Sequence, residues 1–140
     1  MVSLLNVTSS LFMTGLIWII QLVHYPSFHY VDRENYKTFA AFHTQTITYV
    51  VMPVMALEIL SQLVLLLRSQ DAVNISATAL LSVIWLATIF YSIPCHNLLA
   101  NGYDTQVVDK LVQTNWIRTV AWTLKSLVLL YPYYLEAVDK

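Results

Sequence analysis

Charge is what this chain has least of. Only 11% of its 140 residues are Asp, Glu, Lys or Arg, against about 25% in an ordinary soluble domain. That is too little to coat a water-soluble globule, while 58% of the chain is hydrophobic. Lipid is therefore the solvent that fits most of its surface. The net charge of -1 removes the electrostatic basis for binding nucleic acid. A single cysteine, Cys95, excludes an internal disulfide. Met1–Asn6 carries no Lys or Arg, and no small-residue cleavage site follows the apolar stretch. The first run thus reads as a retained membrane helix instead of a signal peptide.

What is present is a set of four apolar runs near the length of about 20 residues that a membrane helix needs. They cover Leu4–His24, Thr44–Leu67, Val73–Leu99 and Leu111–Leu135. The last closes on Tyr131, Tyr133 and Tyr134, rings that favour the headgroup level. Between the first two runs, Ser27–Phe42 holds Asp32, Arg33, Glu34 and Lys37, with a short interfacial helix expected around Tyr36, Phe39 and Phe42. Arg68–Ala72 reads as a tight turn, and Asn101-Gly102-Tyr103-Asp104 is a turn signal. Short connections make neighbouring helices antiparallel. The expected fold is a single all-α domain over residues 1–140, an integral membrane four-helix bundle running up-down-up-down.

This threading puts three histidines at one membrane face. His24 ends the first run, His43 opens the second and His96 ends the third. Asn115, Trp116 and Arg118 lie one to two turns into the fourth. Gln21 stands three residues before His24, on the same face of an α-helix. The charges of the two faces differ too little for the positive-inside rule to set an orientation: Arg33, Lys37 and Lys110 against Arg68 and Lys140. The sequons at Asn6 and Asn74 each lie close against a span, where glycosylation lacks an accessible loop.

Polar groups at membrane depth are costly and need a reason to be there. Imidazoles suit zinc, copper and iron, so His24, His43 and His96 are candidate ligands for a transition metal or a haem, or general bases. Arg118 adds a permanent cation for a carboxylate, phenolate or lipid phosphate. Tyr25, Asn97, Asn115 and Trp116 are the candidate substrate contacts, with Trp18 as a further aromatic wall. The competing reading is that these histidines are interfacial side chains, as Tyr and Trp often are. No H-x-x-x-H or E-x-x-H pair occurs within a helix, and His29 reads as a solvated loop residue. Cys95 and His96 are adjacent, so they do not face each other on a helix.

A second constellation lies deeper. Glu58 and Lys125 each stand fourteen residues into their runs, about 20 Å from the histidine face at about 1.5 Å per residue. An ion pair between them would explain how both tolerate the membrane. Asn115, Arg118, Trp122 and Lys125 follow helical spacing, which turns that face of the fourth helix inward. Pro53 and Pro94 are expected to bend their helices. The order Trp18, His24, Pro26 has a faint echo in Trp85, Pro94, His96, too thin to carry a repeat.

Four-span length, Pro94 with Asn97 closing the third span, and Asn115-Trp116-Ile117-Arg118-Thr119 with Trp122 in the fourth resemble the small four-helix membrane proteins of the anthrone-oxygenase-like kind. That resemblance implies an oxidative enzyme acting on an apolar aromatic substrate; His24 and His43 are not part of it. The alternative is a non-enzymatic membrane subunit or small carrier using the Glu58/Lys125 pair. A bundle this narrow would need homo-oligomerisation to enclose a transport path. Headgroup binding by Arg33, Lys37 and Arg118 is the weakest reading, because the basic cluster is small.

Overall fold

The computed structural model describes residues 1–139, and among them no strand occurs. Four long helical segments follow one another: α1 (Val2–Tyr30), α2 (Tyr36–Arg68), α3 (Ala72–Leu99) and α4 (Thr105–Val138). The first three are long and apolar enough to cross a membrane; α4 is not in that class. The reason lies in its inward face, which spends Asn115, Arg118, Thr119, Lys125 and Ser126 on the interior.

Beside its apolar core the chain buries many polar groups and exposes many large apolar ones. Asn6, Ser10, Glu58, Thr119 and Lys125 are wholly buried, whereas Ile19, Val23, Leu60, Leu67, Phe90 and Leu127 are well exposed. Contiguous apolar surface on this scale marks a membrane-embedded chain, and the polar interior needs internal partners to persist there.

Two of the helices are not regular. α1 is α-helical over Val2–Ile19, widens into a π-turn at Ile20–His24, and finishes through Tyr25–Ser27 and a 3-10 turn at Phe28–Tyr30. α3 repeats the device, with a π-turn at Thr88–Ser92 before Ile93–Leu99. Each π-turn ends two residues before a proline, Pro26 in the first case and Pro94 in the second. Proline offers no N–H to the carbonyl four residues back and its ring crowds that carbonyl; a locally wider turn accommodates both faults. By contrast α2 runs unbroken through Pro53 and α4 through Pro132.

The expected interfacial helix in Ser27–Phe42 is not a separate element. Nothing from Tyr36 to His43 breaks a helix, so α2 starts at Tyr36, whose ring is fully buried against Tyr103 at 5.1 Å. The other connections are capped locally. Asp71 accepts the Asn74 N–H at 2.8 Å to open α3, and Asp104 accepts the Gln106 N–H at 2.8 Å to open α4. Gly102 takes φ +143 in the turn between α3 and α4, a region that favours glycine.

The main apolar core joins Met13 and Ile17 of α1, Met55 of α2, Leu81 and Ile84 of α3, and Leu111 and Trp122 of α4. A smaller cluster of Val7, Ala77 and Leu129 lies toward the other end. α4 packs along both α1 and α3, and α2 packs along α1. The α2–α3 seam is looser and carries open clefts, one of them beside His96.

Candidate functional site

The three sequence-expected histidines converge. His24 Nε2 lies 2.8 Å from His43 Nδ1, a hydrogen bond whose direction depends on the tautomers. The His43 and His96 rings are 5.2 Å apart, centroid to centroid. Tyr25 completes the group, its hydroxyl 3.1 Å from His96 Nε2. Phe28 and Phe39 enclose His43 with ring contacts at 5.0 and 6.3 Å. His43 is buried, and its Nε2 has no hydrogen-bond partner.

The α1 π-turn decides which way these side chains point. Gln21 and His24 were expected on one helical face. In the π-turn they diverge: Gln21 faces α4, donating to the Val112 carbonyl at 3.1 Å, while His24 faces α2. A wider turn has more residues per revolution, so a step of three no longer brings the chain nearly round.

Arg118 occupies the layer beneath. It is buried, and its Nη1 donates to Ser92 Oγ at 3.0 Å and Asn115 Oδ1 at 3.2 Å. Asn115 in turn donates to Gln21 Oε1 at 2.9 Å, which Thr119 also reaches at 3.3 Å. Both π-turns thus supply a polar side chain, Gln21 and Ser92, to the same row on α4. Among the described residues the ion pairs are Glu58–Lys125 and His29–Asp109, so Arg118 has no carboxylate partner and its Nε is unpaired.

Not every expected contact belongs to the site. Trp116 is half-exposed and packs edge-on against Trp18 at 5.6 Å, outside the α1–α4 seam. One residue beyond Asn115 is a rotation of about 100° on an α-helix, which takes Trp116 out of the interior. Trp18 is held there by its indole N–H donating to Thr123 at 3.1 Å. Neither ring walls the pocket. Asn97 is exposed but lines an open cleft of about 440 Å3 with His96, Thr44, Gln45 and Thr48. This cleft lies on the α2–α3 seam and reaches His96 from the side. His29 takes no part; it ties α1 to the connection and to α4 through Tyr103 at 3.0 Å and Asp109 at 3.1 Å.

A ligand set for a metal is not assembled. Among the described residues no group of three or more His, Cys, Asp or Glu side chains is placed to hold an ion. His24 and His43 use their facing nitrogens on each other, and His96 uses Nε2 on Tyr25. Cys95 is buried and free.

Below Arg118 the deep pair is closed. Lys125 Nζ lies 2.9 Å from Glu58 Oε1, and both side chains are fully buried. Ser10 donates to the same carboxylate oxygen at 2.8 Å and accepts from Lys125. Trp122 Nε1 donates to Glu58 Oε2 at 3.0 Å. Asn6 of the first sequon is wholly buried, donating to Ser61 at 2.8 Å, which removes it as a glycan acceptor in this fold. Ser10 and Ser92 escaped the sequence reading. A serine in an apolar run gives little signal, although Ser92 precedes Pro94 by two residues, where the widened turn forms.

No family model, no curated protein and no solved structure matches this chain.

Proposed function

We propose that the chain is a four-span integral membrane bundle, up-down-up-down, with α4 as the fourth span. Its site binds a bilayer-soluble phenol or enolisable aromatic ketone as the anion and exchanges its proton. Pairings of falling against rising residue number support the topology: His24 with His43 and Asn6 with Ser61, Gln62 with Thr78, Ser92 with Arg118, Thr14 with Ser126.

The observation that carries the function is Arg118. A guanidinium cannot shed its charge, and this one is buried in a membrane chain with only neutral partners, so its charge lacks a counter-anion. The three imidazoles and the Tyr25 hydroxyl form a connected group on α1, α2 and α3. In this reading the ligand enters through the α2–α3 cleft beside His96, and its oxygen, once deprotonated, faces Arg118. The proton goes to an imidazole, His43 Nε2 having no other partner. A neutral imidazole carries one N–H and one lone pair, so the His24–His43 contact hands the proton on toward the less buried His24. Tyr25 orients His96. Stabilising an aromatic carbanion or phenolate in this way prepares it for oxidation, in line with the resemblance to anthrone oxygenases.

The carrier reading has less support. Glu58 and Lys125 saturate each other, with Ser10 and Trp122 closing the remaining sites.

The test uses the full chain in lipid nanodiscs with anthrone and dioxygen. Insertion of one oxygen atom into the activated CH2 gives the quinone carbonyl, and the other oxygen leaves as water. Dioxygen uptake that depends on protein and is lost in His43→Phe and Arg118→Gln is expected. Saturable binding of 2-naphthol, but not naphthalene, is expected alongside it, weakened at least tenfold, about 1.4 kcal/mol, by Arg118→Gln. Equal binding of naphthol and naphthalene, or unchanged naphthol binding in Arg118→Gln, overturns the anion site. Naphthol binding without dioxygen uptake overturns the oxidative step.

A further inference from the structure

The end of α1 sends two neighbouring side chains to different partners. Phe28 and His29 share the 3-10 turn Phe28–Tyr30. Phe28 is 1% exposed, its ring 5.3 Å from that of His24, 5.6 Å from Tyr25 and 5.0 Å from His43. His29 touches none of those groups. Its Nε2 lies 3.1 Å from Asp109 Oδ1 of α4, and its Nδ1 lies 3.0 Å from the Tyr103 hydroxyl in the α3–α4 connection. A carboxylate only accepts, so Nε2 carries the proton.

The two sets of contacts belong to one assembly. Phe28 meets Phe39 edge-on at 5.0 Å, Phe39 meets Tyr36 at 6.0 Å, Tyr36 meets Tyr103 at 5.1 Å, and Tyr103 returns to His29. These rings close a circuit from the end of α1, the start of α2 and the α3–α4 connection. The circuit lies outward of the imidazoles, on the face where α1 ends and α2 begins. Phe28 stands four residues beyond His24 and Phe39 four residues before His43, about one helical turn further out in each case.

The circuit is fastened unevenly. Its inner ring, Phe28, is held by apolar contacts. Its outer edge is held by His29, whose side chain is 29% exposed, and by Asp109, 53% exposed. A contact so open to water is weak. Beyond the turn Val31 is extended, and residues 31–35 belong to no helix. The turn is thus not tied rigidly to α2. Weakly fastened segments beside a site are the ones that open.

We propose that this aromatic circuit is a water gate over the imidazole group, with Phe28 as its plug and the His29–Asp109 contact as its latch. Closed, it separates His24 and His43 from the water at that face. Open, it gives His24, the less buried of the two, a path for returning a proton to that water. This use of the gate rests on the proton-exchange reading above. The gate itself is read without any ligand, so either fails without the other.

The test is deuterium exchange at the imidazole C2 position, resolved residue by residue with mass spectrometry, on the full chain in nanodiscs at one fixed pH. It reads water access at each histidine. In the wild type His29 is expected to exchange fast and His43 slowly. Asp109→Ala releases the latch and is expected to speed exchange at His24 and His43 by about two- to fivefold, the ratio that an exposed ion pair supports. Phe28→Ala removes the plug and is expected to speed it further. Tyr103→Phe takes only the hydroxyl from His29, and serves with a smaller rise if Phe28→Ala does not fold. Exchange at His43 as fast as at His29 in the wild type overturns the gate. Unchanged exchange in Asp109→Ala overturns the latch, and unchanged exchange in Phe28→Ala overturns the plug. A rise matched by an equal loss of protection at the backbone amides along α2 is general loosening, and overturns the proposal too.

Discussion

Trp122 donates its indole N–H to Glu58 Oε2 at 3.0 Å while Arg118 lies over the face of the same ring, 5.2 Å from the centroid. One side chain therefore joins the deep ion pair to the cation of the candidate site. Trp122→Phe keeps an aromatic face under Arg118 and removes the donor. The carboxylate loses one partner in a dry interior, at an expected cost of about 1–3 kcal/mol. Unfolding in mixed micelles measures it, with Trp122→Leu as the control that loses the ring as well.

Glu58→Gln and Lys125→Met break a fully buried pair from opposite sides. Each alone is expected to cost about 3–5 kcal/mol, because a lone charge remains inside. The double variant removes both charges and recovers most of that loss. A double variant no more stable than the worse single one would show that the pair is not the source of the effect.

His24 and His43 touch through ring nitrogens, so their substitutions are not independent. In a cycle of His24→Phe, His43→Phe and the double variant, a coupling of about 0.5–3 kcal/mol is expected. Additivity within error in the unfolding free energies would mean that the 2.8 Å contact carries no energy.

The Asp71 cap gives an acid-sensitive contribution outside the membrane. The Asn74 N–H, and then the Ser69 hydroxyl, favour the charged form and hold the carboxyl below the usual carboxylate range. The folded value lies under the unfolded one, about 3.9 for a free Asp. The cap's contribution is thus complete above the unfolded value and fades as pH falls through the folded one. Asp71→Ala is expected to lower Tm at neutral pH and to narrow the difference from wild type under acid; melting curves across that range check it.

The two glycines are expected to respond in opposite directions. At Gly102 a Cβ would meet only Lys37 Cε at 3.7 Å, but φ is +143. Gly102→Ala therefore costs about 1–3 kcal/mol through backbone strain. Gly15 lies within α1 with nothing within 4 Å of an added Cβ. Gly15→Ala is expected to stabilise by about 0.5–1 kcal/mol. Paired thermal melts of the two variants decide both.

Much of the site was legible because helical spacing is strict. Asn115, Arg118, Trp122 and Lys125 recur at three and four residues, and all four are buried. Trp116 was expected in the pocket from its depth alone; its one-residue offset from Asn115 turns it outward, against Trp18. Gln21 and His24 were paired by a spacing that holds only for an α-turn. The π-turn before Pro26 separates them, and the proline was the one available sign of it. The start of α2 at Tyr36 was obscured by the charges before it, which suggested an interface where the chain simply continues as helix.

The sequence by itself determined an all-helical, lipid-facing chain, because hydrophobic length and scarcity of charge are local properties summed along it. It also placed three histidines and Arg118 at comparable depth, because helical rise is constant. Only the tertiary structure decided that His24 meets His43, that His96 meets Tyr25, and that Arg118 has no acid beside it. It alone left Gln62 Oε1 and Trp85 Nε1 buried without a partner. Those are relations between side chains on different helices, set by turn width and packing, and linear spacing carries no record of them.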